Sequence, residues 1–416
     1  MKSIFLRRLR YVVAALALLA GPTAVAQVVP AMPQVALDTV VAGPQAVDIS
    51  GWLLLNKDIQ TELDGAVHNL YNYKFDKADR QFRSLRRRYP NHPMAYFLLG
   101  LSTWWKMMPN PPEDTRFDKM YYAYLDTAET KALAMYKADS HNYEACFFLS
   151  AAYGFEARLH SERHNWRKAT VASKRALDYL HKSREANGLS SEFELGYGLF
   201  DYYAVWIGDE YPWLRPVLFF FPKGDTRKGL AELRNTSKTA FYARPEALFF
   251  LVLILRDPRE HQVAQALSIS RELSREYPDN SRFQIDYAKL CFDQGSMKEA
   301  EAECLSTLQK NAAGYVGYGA LTCRTAAYIM GYINQYYYKN QKAAMDYYQR
   351  SIVFSETVGM TESGYYIFSN AALGKLAAQA NDVAAAQRFY RVVVDKADHK
   401  EIIFKEARLY LIKHKE

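Results

Sequence analysis

The feature that most constrains this chain is a spacing. In AQALSISRELSREYPDNSRFQIDYAKLCFDQGSMKEAEAECLSTL, Ala266, Ser270 and Leu273 lead to Pro278. Tyr287, Ala288 and Gly295 then lead to Ala300, Cys304 and Thr307, so that Ala266 and Ala300 stand one period of 34 residues apart. A period of about 20–50 residues marks stacked units, each too small to bury its own apolar face. The small residues recur at helical spacing with proline in the turn, so each unit reads as a pair of helices. Alanine or glycine at the crossing lets the two backbones approach, and aromatic side chains fill the space beside it.

The same order appears at Ala78, Phe82, Leu85 and Pro90, followed by Tyr96, Leu99 and Gly100. It returns near the end at Leu373, Gly374, Ala386, Tyr390 and Val393, with weaker copies around Ala128, Ala169 and Ala344. Six or seven helix pairs are expected. The pattern resembles tetratricopeptide-repeat proteins over most of the chain, with strong matches in about three units. That resemblance implies an all-α solenoid, a right-handed superhelix of helix pairs, with structural roles for Ala78, Phe82, Pro90, Gly100, Ala266, Pro278, Ala288, Ala300, Gly374 and Ala386.

The rhythm breaks in the middle, which divides the expected organisation into a segment 1–26, a linker 27–55, helix pairs over 56–190, an atypical segment 191–245 and repeats over 246–416. Within the break, VLFFFPKGDTRKGLAEL carries Gly224 and Gly229 at the GxxxxG spacing of a phosphate-cradling loop. Leu230 and Ala231 follow, where such a loop needs lysine and a hydroxyl side chain, so a connector is expected, with Asp225 capping a new helix. Pro216 and Pro222 bracket an apolar plug expected to pack between the two halves of the chain. Gly196, Gly198, Leu199 and Phe200, then Pro212, Leu214 and Leu218, then Gly224, Asp225, Gly229, Leu230 and Leu233 resemble the central segment of the tetratricopeptide repeat protein 39 family. The likeness covers roughly 45 residues and departs in the FFFPKGD step. It implies repeat architecture and no defined activity.

The first residues combine Lys2, Arg7, Arg8 and Arg10 with an apolar run from Tyr11 to Ala20 and the small-residue site Ala24-Val25-Ala26. This reads as a secretory signal peptide cut before Gln27, because the apolar run is shorter than the roughly 20 residues of a spanning helix. A periplasmic or secreted protein is expected. Without those four basic residues the formal charge of +8 falls to +4, which gives no footprint for nucleic acid. Cys146, Cys291, Cys304 and Cys323 form no CxxC pair and read as small core residues, with a Cys291–Cys304 disulfide left open. The apolar ALFFLVLIL, from Ala247 to Leu255, suits a helix buried on all sides.

No nucleophile, acid/base pair, metal set or cofactor motif stands out. His160 and His164 sit four apart without a third ligand and read as surface polar residues; Glu192 and Glu194 lie two apart and would diverge on a helix. GYVGYGALTCR, from Gly314 to Arg324, reads as the loop before a helix. Tyrosine, at 32 residues, exceeds what repeat cores consume. Adjacent tyrosines cannot all face one core, so Tyr121, Tyr122, Tyr202, Tyr203, Trp206, Tyr336, Tyr337, Tyr338, Tyr365 and Tyr366 are expected to supply a contact surface. A protein or peptide partner is the first reading, and a glycan stacked on these rings and on Trp104, Trp105 and Trp213 the alternative. Trp213 and Leu218–Phe221 would be the residues for any peripheral membrane contact.

Overall fold

The computed structural model describes residues 49–186, 188–212, 215, 222–362 and 364–414. The signal-peptide reading, most of the linker and the 216–221 plug with Trp213 lie outside the described residues. Within them the chain forms seventeen α-helices and no strand. Sixteen make consecutive pairs: α1 (Lys57–Tyr71) with α2 (Phe75–Arg88), α3 (Met94–Met107) with α4 (Asp118–Ala138), and α5 (Tyr143–Glu162) with α6 (Trp166–Lys182). Next come α7 (Glu194–Glu210) with α8 (Thr226–Thr239), α9 (Arg244–Leu255) with α10 (Val263–Glu276), and α11 (Ser281–Asp293) with α12 (Met297–Ala312). The last pairs are α13 (Ala320–Tyr332) with α14 (Gln341–Thr357) and α15 (Gly364–Gln379) with α16 (Val383–Lys396), after which α17 (Ile402–Lys413) packs on α16.

Eight pairs therefore stand where six or seven were expected. Successive helices pack together from α1 to α6 and again from α7 to α17, and α1–α3, α3–α5, α11–α13, α13–α15 and α15–α17 also touch, an arrangement consistent with an α-solenoid. The 34-residue spacing separates the starts of α10 and α12 at Val263 and Met297, but it is not uniform. Helices such as α4, with 21 residues, stretch it and blur the sequence signal. Side-chain caps begin many of the helices: Asn56, Asn142, Asn280, Asn340 and Asp382 each accept from amides of the following turn.

Small residues mark the crossings as their spacing implies. Ala78, Ala266, Ala288, Ala300 and Ala386 are completely buried, as is Phe82, while Pro90 and Pro278 occupy exposed turns. A methyl on Gly100 would come within 3.0 Å of Leu125, and one on Gly374 within 2.8 Å of the Tyr390 ring. Backbone meets backbone between α7 and α8. A Cβ on Gly229 would lie 2.7 Å from both the Gly198 carbonyl oxygen and the Tyr202 nitrogen, so two backbones meet where neither can yield. The glycine pair that imitates a phosphate loop is packing against α7. Asp225 caps α8 as expected, accepting from the amides of Arg227 at 2.9 Å and Lys228 at 3.1 Å. The Lys228 ammonium is held by Asp201 at 2.8 Å.

The array bends back on itself. At the end of α1, the Tyr71 carbonyl accepts from Asn280 Nδ2 at 2.7 Å, and Asn72 Oδ1 accepts from the Asp279 amide at 3.2 Å. Gly317, at φ +83°, lies against the Tyr73 ring, where any side chain would overlap it. The 314–319 loop is therefore the expected helix lead-in and also a contact with the first helix pair. Trp52, Leu53 and Leu54, assigned to the linker, are buried in the same core, and α9 is mostly buried, with Phe250 and Leu253 half-buried. All four cysteines are buried and free.

Candidate functional site

The expected tyrosine surface divides into two populations. Tyr121, Tyr202 and Trp206 are core residues, at 0%, 2% and 7% exposure, which corrects their assignment to a contact face. Each uses its polar tip internally: Tyr121 donates to the Phe155 carbonyl at 2.8 Å, Tyr202 to Glu260 at 2.6 Å, and the Trp206 indole to Asp257 at 3.3 Å. Tyr122 is half-buried, stacked on His160 with ring centroids 4.8 Å apart. Tyr203, Tyr365 and Tyr366 are also half-buried, Tyr365 against Tyr328 and Tyr366 donating to Glu356. Trp104 and Trp105 are buried with Trp206, so none of the three offers a surface platform for a sugar.

Tyr336, Tyr337 and Tyr338 are different, at 41%, 52% and 47% exposure. The end of α13 widens into a π-helical turn over Ile333–Tyr337, with the Tyr338 amide bonded to the Ile333 carbonyl at 3.0 Å. Its inner face is fixed: Ile333, Asn334 and Gln335 are buried, and Gln335 accepts from Tyr348 at 2.8 Å. The wider turn then carries three consecutive rings to the outside. Tyr336 rests on Tyr332, and Tyr338 donates to Glu301 at 2.6 Å, so the patch is held in place. Such π turns recur at functional sites because they hold backbone out of helical register.

The interior holds a second candidate that the tyrosine pattern does not reveal. The bent array forms a cavity of about 610 Å³, partly open to solvent, lined mainly by aliphatic and aromatic side chains of α1, α3, α5, α6, α7 and α9, with Arg282 of α11. Glu246 lies in its wall, 4% exposed. Its Oε1 accepts from the Trp105 indole at 2.9 Å and from the Tyr71 hydroxyl at 3.3 Å, while Oε2 has no hydrogen-bond partner. Burial pushes this carboxyl above the usual range, against the opposing influence of Arg158. Trp104 Nε1 and the Tyr242 hydroxyl, also in the wall, are likewise unpartnered. Three orphan polar groups in one apolar cavity are unusual in a native interior.

Three arginines line the cavity. Arg163 is bound to Asp118 at 2.6 Å and reaches the Pro112 and Asp114 carbonyls; Arg282 is bound to Asp286 at 2.6 Å. Arg158 has only rings: its guanidinium lies 4.3 Å from the Trp104 centroid and 5.5 Å from that of Phe250. Glu192, a further wall residue, is fully engaged, accepting from the amides of Phe241, Tyr242 and Ala243 at 2.6, 2.9 and 2.9 Å. It holds the backbone that enters α9 and so positions Glu246.

Sequence reasoning passed over Glu246 and Arg158, and weighed Glu192 only against Glu194. The available signal for Glu246 was a carboxylate at the head of an apolar helical run, RPEALFFLVLIL, which often marks a buried polar group. His160 is likewise buried rather than on the surface, bonded to Tyr122 at 2.9 Å and Glu156 at 3.2 Å, and His164 lies beyond the helix end at φ +60°. Among the described residues no group of three or more histidine, cysteine or carboxylate side chains could hold a metal ion, and no helix is long and apolar enough to cross a membrane. No protein-family model matches the chain, and no curated protein matches its sequence.

Proposed function

We propose that the chain is an exported, non-catalytic binding protein of the tetratricopeptide type, a right-handed superhelix of helix pairs that engages a protein or peptide partner at the cell envelope. Support for the architecture comes from the paired helices and from the buried Ala78, Ala266, Ala288, Ala300 and Ala386 at their crossings. Support for export comes from the basic, apolar and small-residue order of residues 1–26. The observation that carries partner binding is the set of Tyr336, Tyr337 and Tyr338 on the π turn. Three exposed, locally fixed rings supply contact area with little conformational entropy left to lose on docking.

The reading is tested by capture from envelope extracts with the wild-type chain and with a Tyr336→Ala, Tyr337→Ala double variant. Both substitutions are at exposed positions, so the fold should persist. The expected outcome is a partner retained by the wild type and lost by the double variant. A set of captured proteins that does not change between the two would overturn the assignment of this patch.

A further inference from the structure

We propose that the interior cavity is a binding site for a single-chain anionic amphiphile of the fatty-acid class, its carboxylate on Arg158 and its hydrocarbon tail among the apolar walls. The site is separate from the exposed tyrosine patch and does not depend on that patch binding a partner.

Size and lining come first. A volume of about 610 Å³ lies within the range of about 300–1,000 Å³ typical of small-molecule sites, and such sites combine apolar walls with a few convergent polar groups. The half-buried lining residues Met107, Met108, Leu199, Phe200, Ala204 and Leu253 give the wall its contact with solvent. A ligand could enter there.

Charge decides the ligand class. Of the three lining arginines, Arg163 and Arg282 already hold carboxylates, whereas Arg158 has neither a hydrogen bond nor an ion pair among the described residues. Arg158 is half-buried, its guanidinium facing aromatic rings without a protein acceptor, and a carboxylate matches its forked donors. Glu246 is close enough to be influenced by Arg158 but makes no salt bridge with it. With burial favouring its neutral form, Glu246 can donate a proton from its unpartnered Oε2 to the same ligand carboxylate. The ligand carboxylate then offsets the Arg158 cation. A cationic ligand would instead meet Arg158 with like charge, and a neutral one would leave the guanidinium without an anion.

The test uses the full chain, freed of bound lipid, titrated with hexadecanoate, hexadecan-1-ol and hexadecyltrimethylammonium by calorimetry and thermal melting. Hexadecanoate is expected to bind one per chain and raise the melting temperature, with weaker binding of the alcohol and none of the cation. Arg158→Met keeps an apolar stem on the rings and should weaken hexadecanoate by about tenfold or more, while leaving the alcohol unchanged. Leu253→Trp, which fills the cavity from a half-buried position, should abolish binding of both, with circular dichroism confirming the fold. Equal affinity for acid and alcohol, hexadecanoate binding insensitive to Arg158→Met, tighter binding of the cation or multiple loosely bound acids per chain would each overturn the proposal.

Discussion

The two ends of the molecule bury their side chains differently. From Trp52 to Leu290 a single apolar cluster runs continuously, joining α1 to α11 through Tyr71, Trp105, Phe249 and Phe283. Beyond it, apolar side chains fall into smaller clusters: one around Cys291 and Ile329, one around Ala344 and Leu373, and one around Ile367 and Phe404. Helix pairs of similar kind thus build one shared core where the array curves back on itself and local cores where it does not. Closure, more than the repeat, should set cooperativity, since an open stack gains stability from nearest neighbours alone.

The largest expected effect breaks the shared core. Trp105 is fully buried, packs edge-on against Tyr71, Phe249 and Phe283, and donates to Glu246. Trp105→Ala should cost about 3–5 kcal/mol and lower protection throughout α1–α11 in hydrogen exchange. Phe404→Ala in α17 should loosen only α15–α17; if both variants act locally, the contrast between the two ends fails.

Next is Glu192→Ala, which leaves three amides before α9, two of them buried, without their acceptor. A loss of about 3 kcal/mol by denaturant titration is expected. Glu192→Gln, which retains a carbonyl acceptor, should lose less.

A pair of glycines sharpens the comparison further. Gly229→Ala meets two backbone atoms of α7, whereas Gly374→Ala meets a tyrosine ring that can rotate away. The former should cost about 2–3 kcal/mol and the latter about 1 kcal/mol, read from paired thermal melts.

The last test is a pH dependence on α4. Glu129 is pushed up to about 8 from an ordinary 4.5, by burial first and then by the carboxylates of Glu156 and Asp126. A raised carboxyl stabilises the fold fully below its unfolded value, and this contribution is lost as pH rises through the folded one. Wild-type melting temperature should therefore include a decline between pH about 4.5 and 8 that is absent in Glu129→Gln. Parallel curves for the two proteins would exclude this carboxyl as the source.

Much of the local structure was legible in the chain. The cap at Asp225, the lead-in at 314–319 and the mostly buried α9 follow from short-range rules, because a cap or an apolar run acts over one or two turns. The exposure of individual tyrosines was not legible. Tyr121 and Tyr122 are neighbours with the same chemistry, and which ring faces the core depends on the neighbouring helices. Tyr336–Tyr338 are exposed because a π turn alters helical phase, and no residue pattern in QYYYKN announced that change.

Helical periodicity and small residues at the crossings were written in the chain, since both follow from local spacing and from the volume available where backbones meet. The return of α1 to α11, and with it the cavity that has both Glu246 and Arg158 in its lining, is a property of the folded array. These residues lie 88 positions apart and come together through the summed curvature of the intervening helices, a quantity that no local pattern encodes.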